Sequence, residues 1–271
     1  MHQESNLDIL NRFLSIPVSD GSEIFGIFSA LPGAVFHKGE KPMERFVFVP
    51  GTKENAVVLV AHADTVWDTA YGKPAESSVA FADGIFRSTA PSCGIGADDR
   101  AGCAMLWALR NSGHSLLVVD GEERGKFGAK FLRKKNKKLF RKLNRHRFMM
   151  ELDWAGTNSC LYNQVDNTQA FKDHIASQLG FQDAQQKGGC DLQVLCRNIC
   201  GVNIGIGYHD YHRPSETLVL EEWENTLRRL SAFLEKDHPK FPIPIHKQAI
   251  AFLKRVKGKF GAIARKLKIL K

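Results

Sequence analysis

Apolar positions along the chain fall into two rhythms. "AVVLVAH" (56–62) and "SLLVVDG" (115–121) are short unbroken apolar runs, and "RFVFVP" (45–50), "SVAFADGIFRS" (78–88) and "FMMELDW" (148–154) share their β-branched and aromatic character, so all five predict strands. Helical spacing marks "LDILNRFLSI" (7–16), the glycine-closed "DRAGCAMLWALRNSG" (99–113) and a stretch over about 125–144. Further helices are predicted at 169–178 and 219–236, with strands at 192–196 and 201–206. Runs such as "VVLV" lack polar alternation, which requires a sheet covered by helices on both faces. The pattern therefore predicts an α/β fold: one three-layer domain over residues 1–240 with a central, mostly parallel mixed sheet. "HPKFPIPIHK" (238–247) is a proline-marked hinge into a tail, residues 241–271.

Composition changes this picture little. The chain has 271 residues, 43% hydrophobic and 25% charged, as an ordinary globular domain does. No N-terminal stretch resembles a signal peptide and no apolar run approaches the ~20 residues of a spanning helix, so a cytoplasmic setting is expected. The six cysteines form no CxxC pair, and Cys190, Cys196 and Cys200 fit no structural zinc pattern, so buried free thiols are expected.

Charge is more informative by its position than by its size. The net charge is +9, yet nine lysines and arginines and no acid lie between His246 and Lys271, so residues 1–245 are net neutral. Leu253, Val256, Phe260, Ile263, Leu267 and Leu270 recur at steps of three and four, which predicts a basic amphipathic helix over about 246–269. Its stripe could pack on the body, lie on an anionic membrane surface or meet an acidic partner. Interleaved aliphatic residues make nucleic acid the poorer partner. A second basic run, "RKKNKKLFRK" (133–142), is offset by acids elsewhere and reads as a solvated helix face.

The strand ends carry the candidate chemistry. His62 and Asp64 close one strand, Glu122 and Glu123 follow another, Asp153 ends a third, and "GIGADDRAG" (94–102) sets Asp98 and Asp99 in the turn before a helix. Ligands of open α/β sheets gather beyond the carboxyl ends of the strands. So many carboxylates in one crevice would repel and lose solvation unless divalent cations neutralised them. Period-two geometry puts His62 and Asp64 on one strand face, where Asp64 could accept the imidazole N–H and turn the other nitrogen toward a metal. Alone, a strand-end histidine is more often a core residue and a Glu-Glu pair a solvated turn. There is no GxSxG elbow, no Walker lysine and no complete GxGxxG.

Taken in order, "HADTV", "GADDRAG", "DGEERGKFGAKF", "ELD", "GGCD" (188–191) and "YHRPSE" (211–216) resemble the co-catalytic dizinc peptidases. The likeness is to the M20 family and its tripeptidase T branch, with which the M28 and M42 aminopeptidases share a zinc exopeptidase core. The resemblance implies two divalent metal ions, zinc being the family's, with His62 and Asp153 on one, Glu123 and His212 on the other and Asp98 as the bridge. It implies Glu122 as general base toward a metal-bridging water, and a cis peptide after Asp98. Asp64 then acts in the catalytic group, Asp99 orients a ligand or the loop, and Asp191 of "GGCD" braces the site. "GYHDYHRPSE" offers both His209 and His212 as the last histidine, and His212 fits the family pattern of histidine, any residue, proline, any residue, acid.

Spacing departs from the M20 pattern. Only 58 residues separate Asp153 from His212, too few for the lid and dimerisation domain that M20 enzymes insert there. The 35 between His62 and Asp98 leave no room for the extra domain of M42 enzymes. The resemblance therefore implies a lidless, monomeric metallohydrolase cleaving amide bonds, a peptidase on short peptides. Its alternatives are an amidase or deacylase on N-acyl amino acids, or a non-catalytic binding protein retaining the fold.

Overall fold

A computed structural model describes residues 4–69, 78–162 and 165–244. The predicted tail helix, and with it the membrane or acidic-partner surface, lies outside the described residues. Two helices, α1 (Asn6–Leu14) and α2 (Ser22–Ser29), precede the strands β1 (Val35–Lys38), β2 (Arg45–Val49) and β3 (Val58–His62). A hairpin of β4 (Val79–Ala82) and β5 (Ile85–Ser88) leads to α3 (Ala97–Ala108), β6 (Ser115–Val119), α4 (Phe127–Lys135), α5 (Lys137–Leu143) and β7 (Met149–Trp154). Then follow β8 (Ser159–Leu161), α6 (Gln169–Leu179), β9 (Gln182–Asp183), α7 (Leu192–Leu195), β10 (Gly201–Gly205), β11 (Tyr208–His209), β12 (Thr217–Val219) and α8 (Leu220–Leu234).

The main sheet has eight strands in the order β1-β2-β6-β3-β7-β10-β8-β9. Its centre, β6-β3-β7-β10, is wholly parallel, and the antiparallel pairs β1/β2, β2/β6 and β10/β8 lie outside it. Side-chain alternation builds two cores from one strand. Val57, Leu59 and Ala61 pack with α1, α2, α3 and α8, while Val58 and Val60 pack on the other face with α4 and α7. Every residue of β3 is buried, which is why its sequence shows no alternation.

Three elements differ from the expectation. The helix over 125–144 is broken at Asn136, whose φ of −116° and ψ of 66° leave the helical region and whose side chain caps α5 by accepting from Leu139 N. The strand expected at 192–196 is the short helix α7, an apolar run whose length cannot separate helix from strand. Its start is held by the Glu151 carboxylate, which accepts from the main-chain N–H of Asp191 (3.1 Å) and Leu192 (3.2 Å). The run 78–88 is a hairpin in a second sheet, β11-β12-β5-β4, because Asp83 and Gly84 both adopt positive φ, the backbone of a tight two-residue hairpin turn. No described helix is long and apolar enough to cross a membrane, and all six cysteines are free and buried.

Candidate metal centre

Parallel order brings the carboxyl ends of β3, β6 and β7 side by side, and the site forms at that edge. His62, the last residue of β3, is 1% exposed and held from several directions. Its N–H donates to Asp99 Oδ2 (3.0 Å), its carbonyl accepts from Cys103 Sγ, and its Nδ1 lies 3.0 Å from the Asp64 carbonyl oxygen. That leaves Nε2 facing Asp98 Oδ1 at 3.1 Å and Asp153 Oδ1 at 3.4 Å. The Asp64 carboxylate, the expected partner of the imidazole N–H, lies 3.4 Å from Nδ1. It also accepts the main-chain N–H of Glu122 (3.1 Å) and Glu123 (3.2 Å), tying the β3 end to the β6 end.

Asp98 and Asp99 lie at the start of α3, and the peptide between them is cis. Asp99 accepts from His62 N and Gly102 N, so its carboxylate serves the backbone. At Gly102 any Cβ would come within 2.1 Å of Asp99 Oδ1 and 2.2 Å of the Leu152 carbonyl, so glycine is required for α3 to pass this close. The two Asp98 oxygens diverge: Oδ1 faces His62, and Oδ2 lies 3.1 Å from His212 Nε2. His212 Nε2 also lies 2.9 Å from Glu123 Oε1. His209 is elsewhere, paired with Glu222 at 2.8 Å, so of the two candidate histidines His212 joins the cluster. Glu122 is buried beside the cluster. Asp191 is buried behind it, and neither of its carboxylate oxygens has a hydrogen-bond partner among the described residues.

Electrostatics match this crowding. Burial and the neighbouring Asp98 charge push the Glu123 carboxyl up to about 7, and burial with Asp98 raises Asp153 well above the carboxylate range. Burial works against Asp98 as well, but hydrogen bonds from His212 and His62 outweigh it and hold Asp98 low. At His212 the same bonds overcome burial and lift the imidazole to about 10. The site thus competes strongly for positive charge. Donor atoms of His62, Asp98 and Glu123 lie within 4.8 Å of one another, as do those of His62, Asp99 and Asp153. Asp99 serves two main-chain N–H groups, whereas Asp98 and Asp153 turn an oxygen to His62 Nε2 and are the better-placed carboxylates. Two imidazoles with carboxylates on each suit a borderline divalent ion such as zinc, so the residues fit the implied metals.

Several supporting residues escaped the sequence reading. Glu216 accepts from Gly96 N (2.7 Å) and Asp98 N (3.1 Å), fixing the turn that presents Asp98. Asn203 accepts from Asp153 N and donates to its carbonyl, and Tyr208 donates to Asp153 Oδ1 at 3.3 Å. Asn203 left a trace, a buried polar residue inside the apolar run "GVNIGIG". Glu216 and Glu151 stand inside quoted motifs without spacing that marks their partners.

A mainly parallel sheet with histidines and carboxylates converging at its carboxyl edge defines an α/β protein with a candidate metal site beyond the strand ends. Residues 46–187, just over half of the chain, match the model of Peptidase family M28; the chain belongs to that family and is a hydrolytic enzyme of the peptidase class. Solved structures share the fold. Aminopeptidase PepT from Bacillus cereus and a tripeptidase from Staphylococcus aureus each give a TM-score of 0.61 at 14% identity over 86% of this chain, and 98% and 99% of theirs. The Pyrococcus horikoshii TET1 peptidase, described as assembling into a tetrahedron or a large octahedral shell, gives 0.59 at 14% identity over 85% of this chain and 99% of its own. No curated protein sequence matches the chain. Membership thus runs through M28 within the zinc exopeptidase superfamily, where the motif order resembled M20.

Proposed function

We propose that the protein is a dizinc aminopeptidase acting on short peptides. One observation carries this reading: Asp98 turns one oxygen to each histidine, Oδ1 to His62 and Oδ2 to His212, both at 3.1 Å. In this assignment His62 and Asp153 hold one ion, Glu123 and His212 hold the other, and Asp98 is shared. Two divalent ions bound there supply a lowered water pKa, a polarised scissile carbonyl and a counter-charge for the developing oxyanion. Glu122 takes the proton of the attacking water and delivers it to the leaving amine, as a buried carboxylate beside the reacting atoms can. Burial raises its pKa, which suits a group that must return the proton it takes. Asp64 fixes the backbone of both glutamates, so that Glu122 and Glu123 divide base and ligand duties.

Between Asp153 and His212 the described elements are the main-sheet strands β8, β9 and β10, the helices α6 and α7 and the short strand β11, and none of them forms a separate lid. This supports a lidless peptidase in the manner of its family. Six free cysteines support a reducing, cytoplasmic setting.

Turnover of di- and tripeptides, aminoacyl anilides and N-acyl amino acids by the zinc- or manganese-loaded protein separates peptidase from deacylase. On the best substrate Glu122→Gln loses at least ~10² in turnover while keeping its metal, and Glu123→Gln loses metal as well. A Glu122→Gln variant working at the parent rate removes Glu122 from this role.

A further inference from the structure

Glu122 is pinned by a residue that the proposed chemistry does not use. Lys126 Nζ lies 2.9 Å from Glu122 Oε1, with both side chains largely buried. The pair is built into a closed loop. Gly125 N and Lys126 N both donate to the Glu122 carbonyl, at 3.0 and 3.2 Å, while Glu122 N donates to Asp64. Lys126 is the N-cap residue of α4 and takes a left-handed conformation, φ 65° and ψ 46°. That backbone favours glycine or asparagine, and a long cationic side chain gains nothing from it locally. A disfavoured conformation held by its surroundings points to a use for the side chain. Here the turn folds the lysine back over the glutamate four residues earlier and brings Nζ against the "GGCD" turn, where a Cβ on Gly189 would sit 3.0 Å away.

The geometry points to Lys126 as a positioning residue for Glu122, an inference that rests on Glu122 being the base. The ammonium is ion-paired with Oε1 at 2.9 Å and so holds the carboxylate rotamer, leaving Oε2 to accept the proton of the attacking water. A free glutamate would sample several rotamers, and few would reach the water. Charge supports the pairing. Glu122, Glu151 and Asp191 are buried close to one another, and an ammonium among them lowers the cost of keeping Glu122 in place.

The test compares the metal-loaded full-length protein with Lys126→Met, Lys126→Arg, Glu122→Gln and the double variant Lys126→Met/Glu122→Gln, on the best substrate of the panel. Lys126→Met lowers kcat by about tenfold to 10²-fold, the scale of misplacing a reacting group by about 1 Å, with KM and metal content unchanged. Lys126→Arg recovers kcat to within about threefold of the parent, since a guanidinium can make the same charged bond. In the double variant the lysine change adds nothing to Glu122→Gln, because both act through one carboxylate. A crystal structure of the Lys126→Met protein shows the Glu122 carboxylate displaced. Lys126→Gln stands in if the methionine variant fails to fold. Parent-like kcat in Lys126→Met, a loss carried by KM, lost metal, or additive effects in the double variant each overturn the proposal. A Glu122→Gln variant at the parent rate sinks the assignment of the base itself and takes this inference with it.

Discussion

His62 and Asp153 stand at the ends of neighbouring parallel strands, whereas Glu123 and His212 are carried by loops. The difference shows in the exposure of the two histidines, 1% for the His62 side chain and 41% for that of His212, while the side chains of Asp153 and Glu123 are both buried. The strand half is cross-braced by Asp99, Asn203, Tyr208 and the Asp64 carbonyl. The loop half has the Asp64 bond to Glu123 N and an edge contact from Tyr211 to the His212 ring at 4.9 Å between centroids. In the proposed two-ion site, His62 thus belongs to a preorganised half and His212 to a more open one, joined by Asp98, and the proposal gives the first the retained ion and the second exchange and substrate entry.

Asp98 belongs to both halves, so removing it gives the largest effect. Asp98→Ala costs more than about 10³ in turnover, since several kcal/mol of charge stabilisation depend on the ions it shares, and lowers the content of both. Loss of a single ion contradicts the bridging role. Next come the two histidines in the metal-free protein. His62→Ala strands buried carboxylates and destabilises the fold by about 3 kcal/mol, whereas His212→Ala, at the surface, costs about 1 kcal/mol or less in chemical denaturation. Equal losses contradict the contrast between the halves.

Support residues are expected to follow the same order. Asn203→Ala weakens metal affinity by about 10-fold to 10²-fold, the usual scale for a group that orients a ligand. Tyr211→Ala, packed on the exposed ring, weakens it by about threefold at most, as read by competition with a chelating dye.

The smallest effect is in pH. With no metal, Glu123 is raised from 4.5 to about 7 and His212 from 6.5 to about 10, so both bind protons more tightly folded than unfolded. Their contribution is full below the unfolded values and is lost as pH rises, across 4.5–7 for Glu123 and 6.5–10 for His212. Metal must displace those protons, so the rise in thermal midpoint on adding zinc grows from pH 6 to pH 9. A rise that is equal at both pH values would show that neither group is a ligand.

The same division explains what could be read from the sequence. The strand half was legible because the apolar run of β3 ends abruptly in His62 and the short β7 carries Asp153 next to its end, and parallel strands bring such ends to one edge of the sheet. The loop half was legible only through the resemblance: His209 and His212 are three residues apart, the family pattern points to His212, and β11, which sends His209 to Glu222, separates them in space. Loop backbone such as the positive φ of His212 leaves no periodic trace. The bracing contacts were equally hidden, since Glu216 and Gly96 are 120 positions apart and meet only through tertiary packing. The break at Asn136 was missed because charged residues on both sides continue a helical rhythm across it.

The shared carboxylate is tested most directly by counting metal. Elemental analysis of the full-length protein after reconstitution with zinc or manganese and removal of free ion should find two ions per chain, falling to one first by loss from the His212 half under mild chelation. A protein that holds no ion, or never more than one, contradicts the two-metal account.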